Sequence, residues 1–507
     1  MLSFVNNSSL AVVRLFGQMK REKIFPVVII GAGPAGLSAA YELALQNIKT
    51  LVLEKDPKYV GGLAKTLNYK GFRFDIGGHR FFSKNKEIEN LWNKILGRDL
   101  LLKKRLSRIF YRKKFFHYPL QPLNALVNLG FLTAIGVFAS YVLARVFPIK
   151  NEHSFEDWVV NRFGRRLYTI FFKTYTEKVW GIPCNKISKD WAAQRIRDLS
   201  LKELILNAFL GRKKHGEVVK TLTDRFKYPK LGPGMFWWKV KEIIEDHSSS
   251  VLLGSPAVSV LHNGKKITSV IVEREGSKIN ILGDHFISSM PLVELINCLN
   301  PKPPSRVLHV AQNLKYRDFL LVVVVIAKKN LFPDQWIYIH DPNVRVGRIQ
   351  NFKNWSDLMV PKSDLTCLGL EYFCSKKDEL WNKADDKIIE IAVKELEFLG
   401  FINKTEVLSR KVIRVTEAYP VYDRGYLSKV QIIRKYLQNF TNLQVVGRNG
   451  MHKYNNQDHA MMTGLLAARN IMGGKFDLWR VTSDAVYGDE RGKGVTVGER
   501  LTPKRLG

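Results

Sequence analysis

The order of apolar and polar positions divides the chain into strand-like and helix-like stretches. Phe25 to Ile30 is a continuous apolar run rich in Val and Ile that ends at glycine, the pattern of a short buried strand, with Pro26 tolerated near its start. Leu37, Ala40, Tyr41 and Ala44 recur at helical spacing, and Thr50 to Leu53 returns to strand character. Strand, helix and strand within so short a stretch open a parallel sheet. Residues 86–225 read as mainly helical, with aromatic and basic residues mixed. Val258 to Leu282 then alternates as a β-meander with a turn at Asn263-Gly264, and Phe319 to Ile326 is a valine-rich buried strand. Asp386 to Leu399 is a helix, Leu443 to Val446 a last short strand ending at Gly447, and a final helix runs from Asp458 to Met472. A Gly/Lys/Arg-rich tail follows Tyr487.

Pro122 to Ala144 carries no charge and is long enough to cross a bilayer as a helix. A single crossing would separate the first strands from the last strand of what should be one sheet. The expectation is therefore a helix buried in the core, with a helix lying on a membrane surface as the alternative. Lys103, Lys104, Arg105, Arg108, Arg112, Lys113 and Lys114 precede it with no acid among them, and Arg145 and Lys150 follow. Such a frame suits anionic lipid, so residues 103–150 are the candidate for peripheral membrane contact.

Over the whole chain of 507 residues, 80 Lys and Arg outnumber 46 Asp and Glu, a net charge of +34. Either the chain is basic throughout or it meets anionic partners. Nucleic acid is set aside, because no zinc-finger, helix-turn-helix or single-strand-binding pattern accompanies the charge. Four cysteines without a C-x-x-C pair argue against a disulfide framework and a zinc site, and point to a reducing cytoplasm. The apolar patch Leu10 to Phe16 lacks a basic stretch before it and a small-residue cleavage site, and Met19 is a second candidate start.

Candidate chemistry begins at Gly31-Ala32-Gly33-Pro34-Ala35-Gly36, which follows the first strand directly. The first glycine makes the tight turn, the second admits a pyrophosphate, and the third lets the helix pack closely. Glu54, followed by Lys55, ends the second strand, where a carboxylate accepts the hydroxyls of an adenosine ribose and repels a 2′-phosphate. NADP is disfavoured; NAD and FAD both remain.

Gly61-Gly62-Leu63 and Asp75-Ile76-Gly77-Gly78-His79 come next, and this succession resembles the flavoproteins that include amine oxidases, protoporphyrinogen oxidases, phytoene desaturases and UDP-galactopyranose mutases. The resemblance makes FAD the expected cofactor. It sharpens at Gly447-Arg448-Asn449-Gly450-Met451-His452-Lys453-Tyr454-Asn455-Asn456-Gln457-Asp458-His459, which is similar to the mutases in pairing Gly-Arg with a Lys-Tyr. Ala418-Tyr419-Pro420-Val421-Tyr422-Asp423 and Ile287-Ser288-Ser289-Met290-Pro291 are further matches. Trp237 and Trp238 are read as core.

The resemblance implies an α/β fold with a Rossmann-type FAD-binding domain built from discontinuous segments, an inserted mainly helical substrate domain and a smaller antiparallel β-sheet region. The boundaries expected are 1–24 for an N-terminal extension, 25–85 for the first FAD-binding part, 86–225 for the helical insert and 226–300 for the return with the meander. A substrate or cap domain over 301–410, the C-terminal FAD-binding part over 411–475 and a tail over 476–507 complete them.

The resemblance further implies that Gly31, Gly33, Pro34, Ala35, Gly36, Glu54, Lys55, Gly61, Gly62, Leu63, Gly78, Gly447, Asp458 and His459 hold the cofactor. Arg448 and Tyr454 would hold the diphosphate of a UDP-sugar, Tyr419 would stand in the active site, and His79 would tune the flavin. The implied reaction is a mutase isomerisation between UDP-galactopyranose and UDP-galactofuranose or a related sugar, feeding a cell-envelope polysaccharide. It proceeds through an adduct at N5 of reduced flavin, with an external reductant such as NAD(P)H. The alternative is an FAD-dependent oxidoreductase acting on a lipophilic substrate. Cytoplasmic location, at the inner face of the membrane if 103–150 touches it, follows from either.

Overall fold

A computed structural model describes residues 24–118, 120–189, 225–423 and 425–481. The apolar patch at 10–16, the candidate start at Met19, the tail after 481 and the 190–224 stretch of the expected helical insert lie outside the described residues.

The first strand is Ile24–Ile30 and the second Thr50–Leu53, paired in parallel with Val27 opposite Thr50 and Ile30 opposite Leu53. Between them runs the helix Pro34–Ala44, with Gly33 at its N-cap and Pro34 at the first position, where its missing N–H costs no hydrogen bond. On its other side the first strand pairs in parallel with Ser277–Ser288, the last strand of the meander, which in turn pairs with Leu443–Val445. Segments far apart in sequence thus meet at the strand ends, and the sheet totals eight strands.

Small residues let the covering helices approach the turn and each other. A Cβ placed on Gly36 would stand 2.0 Å from the Gly31 carbonyl oxygen, and one on Gly464, in the helix Gln457–Ile471, 2.0 Å from that of Ala35. Trp237 is fully buried beneath the sheet as read, its ring edge-on to Phe236, which stacks on Trp92 at 4.2 Å.

A second sheet of seven strands takes the order Val407–Pro420, Tyr316–Ile326, Thr366–Cys374, Arg348–Asn351, Trp336–Ile339, Ser107–Tyr111, Lys114–His117. The stretch after residue 86 therefore contributes strands as well as helices. Ile109 and Phe110 are buried and a two-residue turn at Arg112-Lys113, both at positive φ, closes a hairpin, which overrides the helical reading of that stretch. The strand form also divides the basic cluster. Arg108 turns inward to a salt bridge of 2.6 Å with the fully buried Asp334, while Arg112, Lys113 and Lys114 stay exposed at the hairpin tip.

The uncharged segment is neither one helix nor buried. Gly130, at φ +83°, breaks it into Pro122–Leu129 and Phe131–Val146, and in the longer helix only Ala134 is buried among residues 131–146. The expectation of a core helix is corrected: long apolar runs are ambiguous between core and surface, and here no described residue covers the outward face. Among the described residues no helix is long and apolar enough to cross a membrane.

Candidate active site

Two cavities meet between the sheets. The larger, about 670 Å³, begins where the parallel strands end, the usual place for a ligand in such a sheet. Gly31, Gly33, Pro34, Ala35, Glu54, Lys55, Gly62, Leu63 and Gly447 line it, joined by Ser289, Met290 and Pro291 from the strand that pairs with the first. Glu54 is fixed there by backbone amides, accepting from Ala32 N at 2.7 Å and Asp56 N at 2.8 Å. Burial raises its pKa against those two hydrogen bonds. Gly36 and Gly61 line neither cavity: Gly36 packs on Gly31, and Gly61, at φ +98°, turns the chain over Trp237.

The second cavity, about 240 Å³, is walled by one face of the seven-stranded sheet. Register explains the wall. Trp336 and Tyr338 are two apart and share a face; Arg348 lies opposite Tyr338, Gln350 opposite Trp336, and Glu371 opposite Arg348. Glu371 is fully buried, accepting from Arg348 Nε at 3.0 Å and from Gln350 Nε2 at 2.7 Å. That pair cancels its own charge.

Leu63, Ile76, His79, Arg448, Asn456 and Gln457 line both cavities. Arg448 donates from Nε and Nη2 to the Asn455 carbonyl at 3.0 and 2.7 Å and from Nη1 to Ala418 at 3.2 Å. Its guanidinium lies 4.8 Å from the Tyr454 ring centre and 5.4 Å from that of Tyr419, and the two rings are near parallel, 5.9 Å apart. Three of its five N–H groups are thereby used, and among the described residues no carboxylate pairs with it, so it brings its positive charge to the junction. Tyr419 ends the strand Val407–Pro420; its hydroxyl is pushed up to about 12 by burial and remains a donor at neutral pH.

His79 donates from Nε2 to the Ile76 carbonyl at 3.1 Å, which leaves Nδ1 as an acceptor. Burial holds it down at about 4, with help from Arg448 and Arg348, so the ring is neutral. Gly78 lies against Gln350 and lines the second cavity, as does Asp458 in the first turn of the last helix. Asn456, not Asp458, stands at that helix's N-cap. Asp458 accepts from Ser83 Oγ at 2.8 Å, and although burial raises its pKa, its bonds to His459 and Ser83 bring it lower. His459 is buried against Asp458 and lines neither cavity.

Asp75 anchors the loop that carries His79, accepting from Tyr228 Oη at 2.6 Å and Thr66 Oγ1 at 2.7 Å. Burial pushes it up to about 7 from an ordinary 3.8, against both hydrogen bonds. Between those values the unfolded chain has lost the proton that the folded one keeps, so stability falls as pH rises across that window. Asp75→Asn should flatten the plot of unfolding free energy against pH there, removing a decline on the order of 4 kcal/mol. Equal slopes for variant and parent in denaturant titrations would contradict the raised pKa.

Arg80, Phe319, Trp336, Tyr338 and Arg348 belong to the site although no motif marks them. The alternation Trp336-Ile337-Tyr338-Ile339, with both isoleucines fully buried behind the sheet, is the one local signal that would have found two of them.

Residues 29–95 match the model of the NAD(P)-binding Rossmann-like domain. An inactive all-trans-retinol 13,14-reductase of Danio rerio is 48% identical over 69 residues, which is 14% of this chain and 11% of that protein. A thiamine thiazole synthase of Saccharolobus solfataricus is 29% identical over 138 residues, 27% of this chain and 47% of that protein. The chain therefore spans less than half the length of these curated relatives. In three dimensions the likeness is far longer: a reduced UDP-galactopyranose mutase superposes at a TM-score of 0.77 with 22% identity, over 89% of this chain and 94% of that one. The chain has the mutase and amine-oxidase flavoprotein fold. A putrescine oxidase with putrescine bound shares that fold more distantly, at a TM-score of 0.59 and 16% identity over 89% of this chain and all of that one. The cavity beside Gly31–Ala35 opens at the stretch that this domain model matches.

Proposed function

We propose that the protein is an FAD-dependent nucleotide-sugar mutase that interconverts UDP-galactopyranose and UDP-galactofuranose, or a related sugar pair. The observation that carries this reading is Arg448, an uncancelled cation set between two tyrosine rings where the cofactor cleft opens into the second cavity. A guanidinium suits a diphosphate and has no evident use for an amine or a polyene. The mutase neighbour supports it by overall shape.

The cleft fits FAD by one direct test. A Cβ on Gly33 would meet only the Gly62 Cα, at 3.9 Å, so the chain leaves open the space that a pyrophosphate fills above a helix N-terminus. Glu54 would take the ribose, the amides of Gly33 and Ala35 the pyrophosphate, and Leu63, His79 and Gly447 would border the ring system. When bound in its reduced form, the flavin supplies the nucleophile of the isomerisation.

The chain's own contribution is to bind and orient. Arg448 gives the substrate diphosphate charge-assisted hydrogen bonds from its remaining N–H groups, and the protonated hydroxyl of Tyr419 adds a neutral donor, with the Tyr454 ring stacked beside it. Neutral His79 adds no further positive charge beside Arg448. Arg348, cancelled by Glu371, stiffens the wall behind.

Incubation with UDP-galactopyranose, with the protein oxidised or reduced by dithionite, tests the reading by chromatography. UDP-galactofuranose formed only under reduction is the expected result. A flavin-bound, reduced protein that forms none would exclude this pair of sugars. The second reading, an oxidoreductase of a lipophilic substrate, is favoured by the exposed apolar helices, and turnover of a lipophilic electron donor in the oxidised form would select it. With a UDP-sugar as substrate, the protein works in the cytoplasm at the inner face of the membrane.

A further inference from the structure

Residues 127–147 present an apolar surface that nothing in the described chain covers. Phe131, Leu132 and Phe147 are 78%, 83% and 75% exposed, and Ile135, Phe138, Val142 and Val146 continue the stripe at spacings of three and four along one helix face. The opposite face packs on the protein, through Ala134 and Val137. A stripe of this width on one side of a short helix has the form of an interfacial helix, not of a span.

Charge identifies what it meets. From Leu100 to Lys150 the sequence holds no Asp or Glu. The exposed hairpin tip, Arg112 to Lys114, stands beside the helix pair, with Lys114 Nζ bonded to the Asn128 carbonyl at 2.9 Å. Behind this tip a cavity of about 450 Å³ is lined by Arg112, Lys114, Arg165, Arg166, Thr133 and Thr169, together with aliphatic and aromatic side chains. Arg165 is shared with Glu156 at 2.9 Å; among the described residues no carboxylate lies within salt-bridge reach of the other three cations. Four cations and two hydroxyls at the margin of an apolar stripe match a phosphate at the boundary between headgroup and acyl chain.

We propose that the helix pair 122–146 docks the protein on an anionic phospholipid bilayer, its apolar face among the upper acyl chains and the cavity behind the hairpin holding a lipid phosphate. The sheet that walls the active-site cavity begins at the same hairpin, and Tyr118, just past it, packs 5.0 Å from the cavity residue Tyr338. Docking therefore sets the reaction cavity near the lipid surface. This inference does not depend on which reaction the cavity performs.

Flotation of the full-length protein with vesicles of equal parts phosphatidylcholine and phosphatidylglycerol tests it. Binding is expected there, weaker to phosphatidylcholine alone, falling as salt is raised and unaffected by added inorganic phosphate at equal ionic strength. The triple variant Phe131→Glu, Leu132→Glu, Phe138→Glu should lose binding by at least about tenfold, since each exchange removes an apolar side chain from lipid, while its melting temperature stays unchanged because all three are exposed. Arg112→Ala with Arg166→Ala should weaken binding to anionic vesicles only. Unchanged flotation of the triple variant, or no flotation of the parent, overturns the proposal. So does a parent dimer that the triple variant converts to monomer without vesicle binding, which would show a second copy covering the face. Displacement by inorganic phosphate alone would reassign the cavity to a free anion.

Discussion

Gly33→Val yields a folded protein that carries no flavin. Gly33 has φ −80° and ψ −179°, extended backbone that any residue adopts, and a Cβ there meets nothing but the Gly62 Cα at 3.9 Å. A Cβ there stands in open space, and a side chain built on it would occupy the place proposed for the pyrophosphate. The measurement is flavin absorbance of the purified variant beside its thermal unfolding. Gly36→Ala is the contrast, because its Cβ would lie 2.0 Å from a backbone oxygen that cannot give way, at a cost of about 3 kcal/mol or more. It should melt early whatever it binds. A Gly33→Val protein that keeps a full complement of FAD would show that the cofactor does not pass over this glycine.

Arg448→Met should lower kcat/KM for the nucleotide sugar by about a hundredfold to a thousandfold, the range for removing one charge-assisted donor from a closed site. Lysine at 448 should recover only part, since a point charge cannot reproduce the fork that spans carbonyl and phosphate. The guanidinium also serves the Asn455 and Ala418 carbonyls, so some stability is lost with it, and flavin content of each variant has to accompany the rates. A second readout needs no turnover, and still-cooperative thermal unfolding of the variant must accompany it, since loss of burial would move it the same way. Arg448 is among the charges that hold His79 near 4, second to burial, so its removal should raise the His79 pKa, measurable by NMR of the labelled imidazole. A variant that turns over normally would remove the diphosphate from this position.

The resemblance read at both ends of the chain led to the same fold that the structural neighbours show, and for a physical reason. The glycine turn, the carboxylate after the second strand and the Gly-Arg pair after the last one are set by local rules: a tight turn needs glycine, and a buried strand needs its continuous apolar run. Each leaves its residues next to one another in sequence. The strands Ile24–Ile30, Thr50–Leu53 and Leu443–Val445 were legible to within a residue or two on the same grounds. The helix pair was not, because an uncharged run looks the same whether protein or solvent faces it, and only the packing of Ala134 and Val137 settled which face turns inward.

Sequence by itself determined the glycine turn after the first strand, the basic, acid-free character of the stretch 100–150 and the place of Arg448 just past the last strand. Tertiary structure alone decided that Arg348, Tyr338 and Trp336 face the same cavity, that Glu371 cancels one arginine and leaves Arg448 charged, and that the basic cluster splits between an internal ion pair and an exposed hairpin. The reason is register. Cross-strand neighbours such as Tyr338, Arg348 and Glu371 come from three separate strands, and no local pattern records which strands will lie side by side.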